Sequence, residues 1–186
     1  MSVLHAPTYR LTVGKYEEVG RAGILNERVR VELLNGKIVV KAPLGYRHAT
    51  AMNRLTKFFV QRANERFIVT PGNPFILDEC SEPQPDLCLA DTAIDTQGHH
   101  AGPEQIFLVI EVSDSTVAYD RKDKGPAYAR NHVGEYWLLN LADNALEVFR
   151  SPGVDGYRES LVLSADEKVA PLSFPDLTLR VGDFLP

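Results

Sequence analysis

Cysteine, long apolar runs and, over one stretch, positive charge are what this sequence lacks. Cys80 and Cys88 are its two cysteines in 186 residues. They are too few for a disulfide scaffold and show neither CxxC nor Cys/His zinc spacing, so both are expected to be reduced, buried thiols. No apolar run approaches the roughly 20 residues that cross a bilayer, and no membrane association is expected. Met1 to Arg10 has no apolar block followed by small residues of the secretory kind; a cytoplasmic location is the default expectation. Internal repeats, low-complexity tracts and long linkers are missing too, so residues 1–186 are expected to form one domain.

Charge is what the chain distributes unevenly. A net charge of -5 argues against gripping nucleic acid by bulk electrostatics alone, because such binders carry a basic excess. Yet between Arg28 and Arg66 the bases Arg30, Lys37, Lys41, Arg47, Arg54, Lys57 and Arg62 face only Glu32 and Glu65. From Phe67 to Ala118 there is no Lys or Arg at all, while Asp78, Glu82, Asp86, Asp91, Glu111 and Asp114 are among the acids. Two solvated faces of opposite sign would explain this; so would a phosphate-facing surface beside a cation site.

The patterns predict mixed α/β (α+β) structure. Thr12 caps a short helix over Val13 to Val19. Strands near 29–34 and 37–41 flank Asn35-Gly36, a strong hairpin signal. Met52, Leu55, Phe59 and Ala63 line one face of a helix from Arg47 to Asn64. Strands are expected at Ile68 to Thr70, Phe75 to Asp78, Asp86 to Ala90 and Ile106 to Val112, the last central by its continuous apolar content, with Thr92 to Pro103 a surface loop. A crossover helix near Arg121 to Asn131 leads to strands at Glu135 to Leu141, Leu146 to Arg150 and Tyr157 to Leu163, then a closing segment at Leu172 to Leu179. The sheet is expected to be largely antiparallel.

Two acids stand out chemically. Pro85 fixes the backbone just before Asp86 at a strand start. Glu111 follows four apolar residues, where an ionised carboxylate is costly unless paired or liganded. An arginine ion pair is one explanation for either acid, but the surrounding acid-only stretch offers no local cation, and a bound divalent cation would serve. Downstream, Asp120, Lys124 and Tyr128 recur every four residues on one helix face. Taken alone, Asp120 and Lys124 read as a surface pair worth a few tenths of a kcal/mol, roughly, and Tyr128 as packing or hydrogen-bonding near Lys124. His48 shares a stripe with Met52, Leu55 and Phe59 and reads as a hydrogen-bonded core histidine. His99 and His100 sit in a glycine-flanked loop and receive no role, and Tyr136-Trp137 belong to the core.

Glu32 in a hairpin strand, Pro85-Asp86, Glu111 at the end of an apolar strand and then Asp120-x-x-x-Lys124 form an ordered set. That order resembles the Uma-two family, restriction-endonuclease-like proteins of the PD-(D/E)xK nuclease superfamily. The likeness runs from Val31-Glu32-Leu33-Leu34-Asn35-Gly36 through Glu135-Tyr136-Trp137-Leu138 to Phe174-Pro175-Asp176-Leu177. It implies a restriction endonuclease-like mixed sheet flanked by helices, with extra β-hairpins. It also implies Asp86 and Glu111 as metal ligands, Glu32 as a further acidic ligand, Lys124 as the catalytic lysine and a place for His48 near the site. The superfamily pattern has a lysine two residues after the second acid; Ser113 stands there, and the resemblance implies that Lys124 supplies the charge instead.

These residue types suit Mg²⁺ or Mn²⁺ rather than zinc, because carboxylate oxygens are hard ligands. The expectation is metal-dependent hydrolysis of DNA by an endonuclease, with a homodimer implied by the family. Alternatives are a catalytically inactive nucleic-acid-binding module on the same fold, a glycoside hydrolase using paired carboxylates, and a small-ligand or structural interaction protein. No helix-turn-helix or zinc-finger pattern is evident.

Overall fold

The chain opens with a capped helix and a hairpin. In the computed structural model, which describes residues 8–25 and 29–186, the Thr12 side chain accepts from Lys15 N and starts α1, Val13–Arg21, two residues longer than expected. Strands β1, Val31–Leu34, and β2, Lys37–Val40, pair antiparallel. Asn35 and Gly36 between them have φ of 52° and 77°, the two positive values a tight primed turn requires. Arg28, at the head of the basic segment, lies outside the described residues. Helix α2, Tyr46–Val60, buries Ala51, Leu55 and Phe59. It stops short of Asn64, which with Glu65 adopts positive φ, a conformation no helix continues.

Six strands form the main sheet: β3, Ile68–Pro71; β4, Leu87–Ala90; β5, Ile106–Ser113; β6, Glu135–Asn140; β7, Ala145–Gly153; and β8, Gly156–Leu163. They lie in chain order, antiparallel except for the parallel pair β5–β6. A parallel pair needs a crossover, supplied by α3, Val117–Tyr119, a π-helical turn over Asp120–Lys124, and α4, Gly125–Arg130. The crossover helix thus begins before the expected Arg121, and its first full turn is π rather than α.

The period-two alternation of strands sorts side chains onto two faces. Leu87 and Leu89 of β4, Leu108, Ile110 and Val112 of β5, and Trp137 and Leu139 of β6 pack with Ala51, Leu55 and Phe59 of α2 and with Phe174, Leu177 and Phe184 of the C-terminal segment. Cys88, Ala90, Val109, Tyr136 and Leu138 face the other way, against Ala127 and Tyr128 of α4. Asp86 and Glu111 belong by parity to this second face. Helix α4 can settle onto it because Gly125 carries no side chain; a Cβ there would meet the Tyr136 ring at 3.3 Å.

Two expected strands differ. Phe75 to Asp78 forms no ladder: Phe75 N donates to Pro83 O, Ile76 N to Ala101 O and Leu77 N to Ser81 O. Phe75 and Leu77 face Pro83 and Ser81 in antiparallel register, but Pro83 has no N–H to return the bond, and only the isolated bridge Asp78–Ser81 forms. The buried Phe75 and Leu77 anchor this loop. In the closing segment only Leu179–Arg180 (β10) is extended, pairing with Lys168–Val169 (β9). The Thr92 to Pro103 loop contains a short 3₁₀ turn over Thr92–Asp95, capped by the Asp91 side chain.

Candidate active site

The carboxylates of Asp86 and Glu111 meet where β4 begins and β5 ends. Asp86 N donates to Glu111 Oε2 at 3.3 Å. Asp86 Oδ2 accepts from Val112 N at 2.9 Å and from His48 Nε2 at 3.0 Å, the ionised carboxylate being an acceptor only. Asp86 Oδ1 is left toward the cavity, 3.9 Å from Lys41 Nζ.

From the crossover, Lys124 Nζ donates to Glu111 Oε1 at 2.8 Å and lies 3.1 Å from Glu32 Oε2; Tyr128 Oη donates to the same Glu111 oxygen at 2.8 Å. Glu32, 1% exposed, is not the solvent-facing side chain its hairpin pattern permits. It accepts from Gln84 N at 3.0 Å and from Tyr119 Oη at 3.3 Å. Asp120 completes the group: Thr116 Oγ1 donates to Asp120 Oδ2 at 2.7 Å and lies 2.9 Å from Ser113 Oγ. The cavity above these residues measures about 250 Å³ and is lined by Glu32, Lys41, His48, Asp86, Glu111 and Lys124 among others.

Asp120 and Lys124 stand at the two ends of the π turn. Both are buried, 5% and 2% exposed, and not the surface pair that four-residue spacing alone suggests. Such turns often occur at functional sites because they re-aim side chains within a helix. Arg121, next in the turn, points outward and grips Glu147 of β7 through Nε at 2.8 Å and Nη2 at 2.5 Å, which fixes the turn against the sheet.

Charge in this cavity is unbalanced. Glu32, Asp86, Glu111, Asp114 and Asp120 line it with Lys41 and Lys124, five carboxylates to two ammonium groups, and Arg47 pairs with Asp114 from outside the lining. Burial pushes Glu111 up to about 8, with Asp86 and Asp120 adding to the rise and Lys124 opposing it. Burial and the neighbouring acids also raise Asp120 against the pull of Lys124. Asp86 goes the other way: burial acts upward, but His48, Lys41 and Lys124 together hold it down at about 2. For Lys124, burial favours the neutral amine, and Glu111, Glu32 and Asp120 outweigh it, raising the lysine above its ordinary value. We take Lys124 as the ammonium ion shared between two glutamates.

Of the residues singled out from sequence, Glu32, His48, Asp86, Glu111, Ser113, Asp120, Lys124 and Tyr128 are all brought together here. The cations that meet the two acids come from distant parts of the chain, Lys124 from the crossover and Lys41 from the end of the hairpin. Lys41, Thr116 and Tyr119 were not anticipated. Lys41 was visible only as one base in a basic segment, and nothing local marks Thr116 or Tyr119. His100 Nδ1 lies 2.5 Å from Glu82 Oε1, away from this cavity. Among the described residues no cluster of three or more His, Cys, Asp and Glu side chains is arranged around a metal position.

A mixed sheet flanked by helices, with buried acids and a lysine at the ends of its central strands, is a nuclease fold of the restriction endonuclease-like kind. It is shared with a crystal structure described as a putative nuclease belonging to DUF820 from Anabaena variabilis ATCC 29413, at a TM-score of 0.72 and 15% identity over 94% of this chain and 97% of that one. Residues 15–182 match the model of the Uma2 family, described as putative restriction endonuclease, and the chain belongs to that family. No curated protein matches it. No helix among the described residues is long and apolar enough to cross a membrane.

Proposed function

We propose that this protein is a metal-dependent endonuclease that hydrolyses DNA phosphodiester bonds in the cavity between Asp86, Glu111 and Lys124. The observation that carries this is the convergence of the two strand-end carboxylates with a buried ammonium group, Lys124 Nζ being 2.8 Å from Glu111 Oε1.

The donor set fits a hard divalent cation of the Mg²⁺ or Mn²⁺ kind. Such ions are held by one or two carboxylates and complete their shell with water and substrate phosphate, without an all-protein cage. With Asp114 paired to Arg47, the other four acids outnumber the two lysines, and Asp86 Oδ1 and Glu111 Oε2 are the oxygens that the cations and side-chain donors leave least occupied. When bound, the ion supplies positive charge to the scissile phosphate and to the leaving oxygen and lowers the pKa of coordinated water.

The protein's own residues have distinct tasks. Asp86 stays ionised at neutral pH and is oriented by His48 and Val112 N. Glu111 is oriented by Lys124 and Tyr128. Lys124 presents a fixed positive charge to the phosphate as negative charge develops on it. Glu32, the further acidic ligand of the proposed site, also holds Lys124 in place, with Tyr119 and Gln84 N fixing its carboxylate. Ser113 donates its hydroxyl hydrogen to Thr116, which donates its own to Asp120, so position 113 steadies the π turn that delivers Lys124.

Cleavage of plasmid and oligonucleotide DNA with Mg²⁺ or Mn²⁺ tests the proposal. Asp86→Ala is expected to lose activity by at least about 100-fold; equal activity in variant and wild type removes this site from the mechanism. The alternative of a binding module without catalysis is favoured by Ser113 in the lysine position, and DNA binding with no cleavage under either ion would select it.

A further inference from the structure

The acids of the site lie at the floor of a cavity whose rim is apolar on the side between β2 and α2, polar at Asp114 and Ser115, and poor in free cations. Val40 and Leu44 line the cavity yet remain 65% and 56% exposed, and Pro43 stands between them on the segment joining β2 to α2. Lys41 and Lys124 are the cations among the lining residues. Lys124 is occupied by Glu32 and Glu111; Lys41 donates to Gln84 O, and its side chain is only 10% exposed. Arg47, nearby on α2, binds Asp114 Oδ1 at 2.9 Å and Leu141 O at 2.6 Å. Arg54, Lys57 and Arg62 do not line the cavity, and of the described basic residues from Arg30 to Arg66 only Lys41 does.

Continuous duplex is held mainly by Lys and Arg on successive phosphates, and this mouth offers few that are not already engaged. An unpaired strand has other handles. Its base faces are exposed for packing against side chains, and at a fork proline and leucine can wedge between the last stacked base pairs. A flexible strand can also bend its backbone into a cavity of about 250 Å³, below the usual range of roughly 300–1,000 Å³ for ligand clefts. A scissile phosphate must enter that cavity, because Asp86, Glu111 and Lys124 are at most 8% exposed.

We propose that the DNA taken by this site is unpaired at the scissile phosphate: a single strand, or a fork whose frayed strand crosses the Val40, Pro43 and Leu44 rim. This rests on the nuclease function proposed above. The experiment compares one labelled DNA sequence as single strand, forked junction and blunt duplex, with Mn²⁺, for wild type and for the double variant Val40→Ser with Leu44→Ser. Both positions are exposed, and circular dichroism confirms that the variant folds.

Single-stranded and forked DNA are expected to be cut at least about tenfold faster than duplex, and the double variant to lose most of that preference through a raised KM. Duplex cut as fast as single strand, with the variant unchanged, overturns the strand preference and leaves the nuclease function standing. If wild type cuts none of the three, the nuclease function fails, and fluorescence anisotropy with the same oligonucleotides decides the preference. Binding of single strand about tenfold tighter than duplex, weakened in the double variant, sustains it; equal or undetectable binding overturns it.

Discussion

Glu111 and Glu135 are buried glutamates on the adjacent strands β5 and β6, 2% and 1% exposed, and they have opposite surroundings. Glu135 has a closed set of partners. Its Oε1 accepts from Trp137 Nε1 at 2.9 Å and Arg150 Nε at 2.8 Å, and its Oε2 from Leu172 N at 2.6 Å. One guanidinium serves one carboxylate, and Glu135 does not line the active-site cavity. Glu111 shares a single lysine with Glu32, has Asp86 and Asp120 close by, and borders a cavity. Burial of an acid is therefore not what marks a functional group in this protein. The mark is an excess of acids over cations beside open space, since a fully paired carboxylate has nothing left to offer a ligand.

The strongest way to break this contrast is to neutralise each glutamate. Glu111→Gln is expected to abolish DNA cleavage, by at least about 100-fold, while leaving thermal stability near wild type or above it, because it removes one charge from a crowded site. Glu135→Gln is expected to cost about 3 kcal/mol of stability by leaving Arg150 poorly paired while the remaining folded protein keeps its turnover. Paired nuclease assays and denaturant unfolding measure both; equal stability losses would erase the distinction.

Next in size is the response to pH and metal. Glu111 has its folded value raised from 4.5 to about 8, so the folded chain holds that proton more tightly than the unfolded one. Stability is then expected to fall as pH rises from 4.5 to about 8. Asp86, lowered from 3.8 to about 2, acts oppositely and lower: its contribution is present above 3.8 and lost as pH falls toward about 2. Added Mn²⁺ should raise the Tm more at about pH 8 than at about pH 6, because proton and cation compete for Glu111; chelation should reverse the gain. Differential scanning fluorimetry reads it, and the Glu111→Gln variant should lose most of the slope and the gain, the raised Asp120 keeping a smaller slope.

Smaller effects sharpen the picture. Tyr128→Phe removes one of the two donors on Glu111 Oε1 and is expected to lower kcat about tenfold with little change in KM, as measured by steady-state kinetics. Thr116→Val interrupts the hydrogen-bonded chain from Ser113 to Asp120 and is expected to cost about 1 kcal/mol in urea unfolding, with a loss of activity smaller than that of Tyr128→Phe.

Much of the frame was legible from local signals. Asn35-Gly36 announced the hairpin, the apolar stripe of α2 its buried face, and the unbroken run of β5 its central place. Asp86 and Glu111 were legible for a physical reason: an acid after a proline at a strand start, and an acid closing an apolar strand, are costly placements that require compensation. Phe75 and Leu77 misled because alternation in four residues does not distinguish a strand from a loop whose apolar side chains are anchored. Glu135 escaped notice because its compensation, Arg150, lies two strands' length away in the chain.

The sequence by itself determined the alternation that puts Asp86 and Glu111 on one face of the sheet, and the unequal spread of charge along the chain. Only the tertiary structure decided which cations meet those acids. Lys124 reaches Glu111 through a parallel crossover and a π turn, Lys41 and Glu32 arrive on a hairpin, and the Arg and Lys residues of the α2 surface stay outside. Strand parity is a short-range property written in consecutive residues, whereas charge compensation depends on side chains more than ten residues apart converging in one low-dielectric cavity.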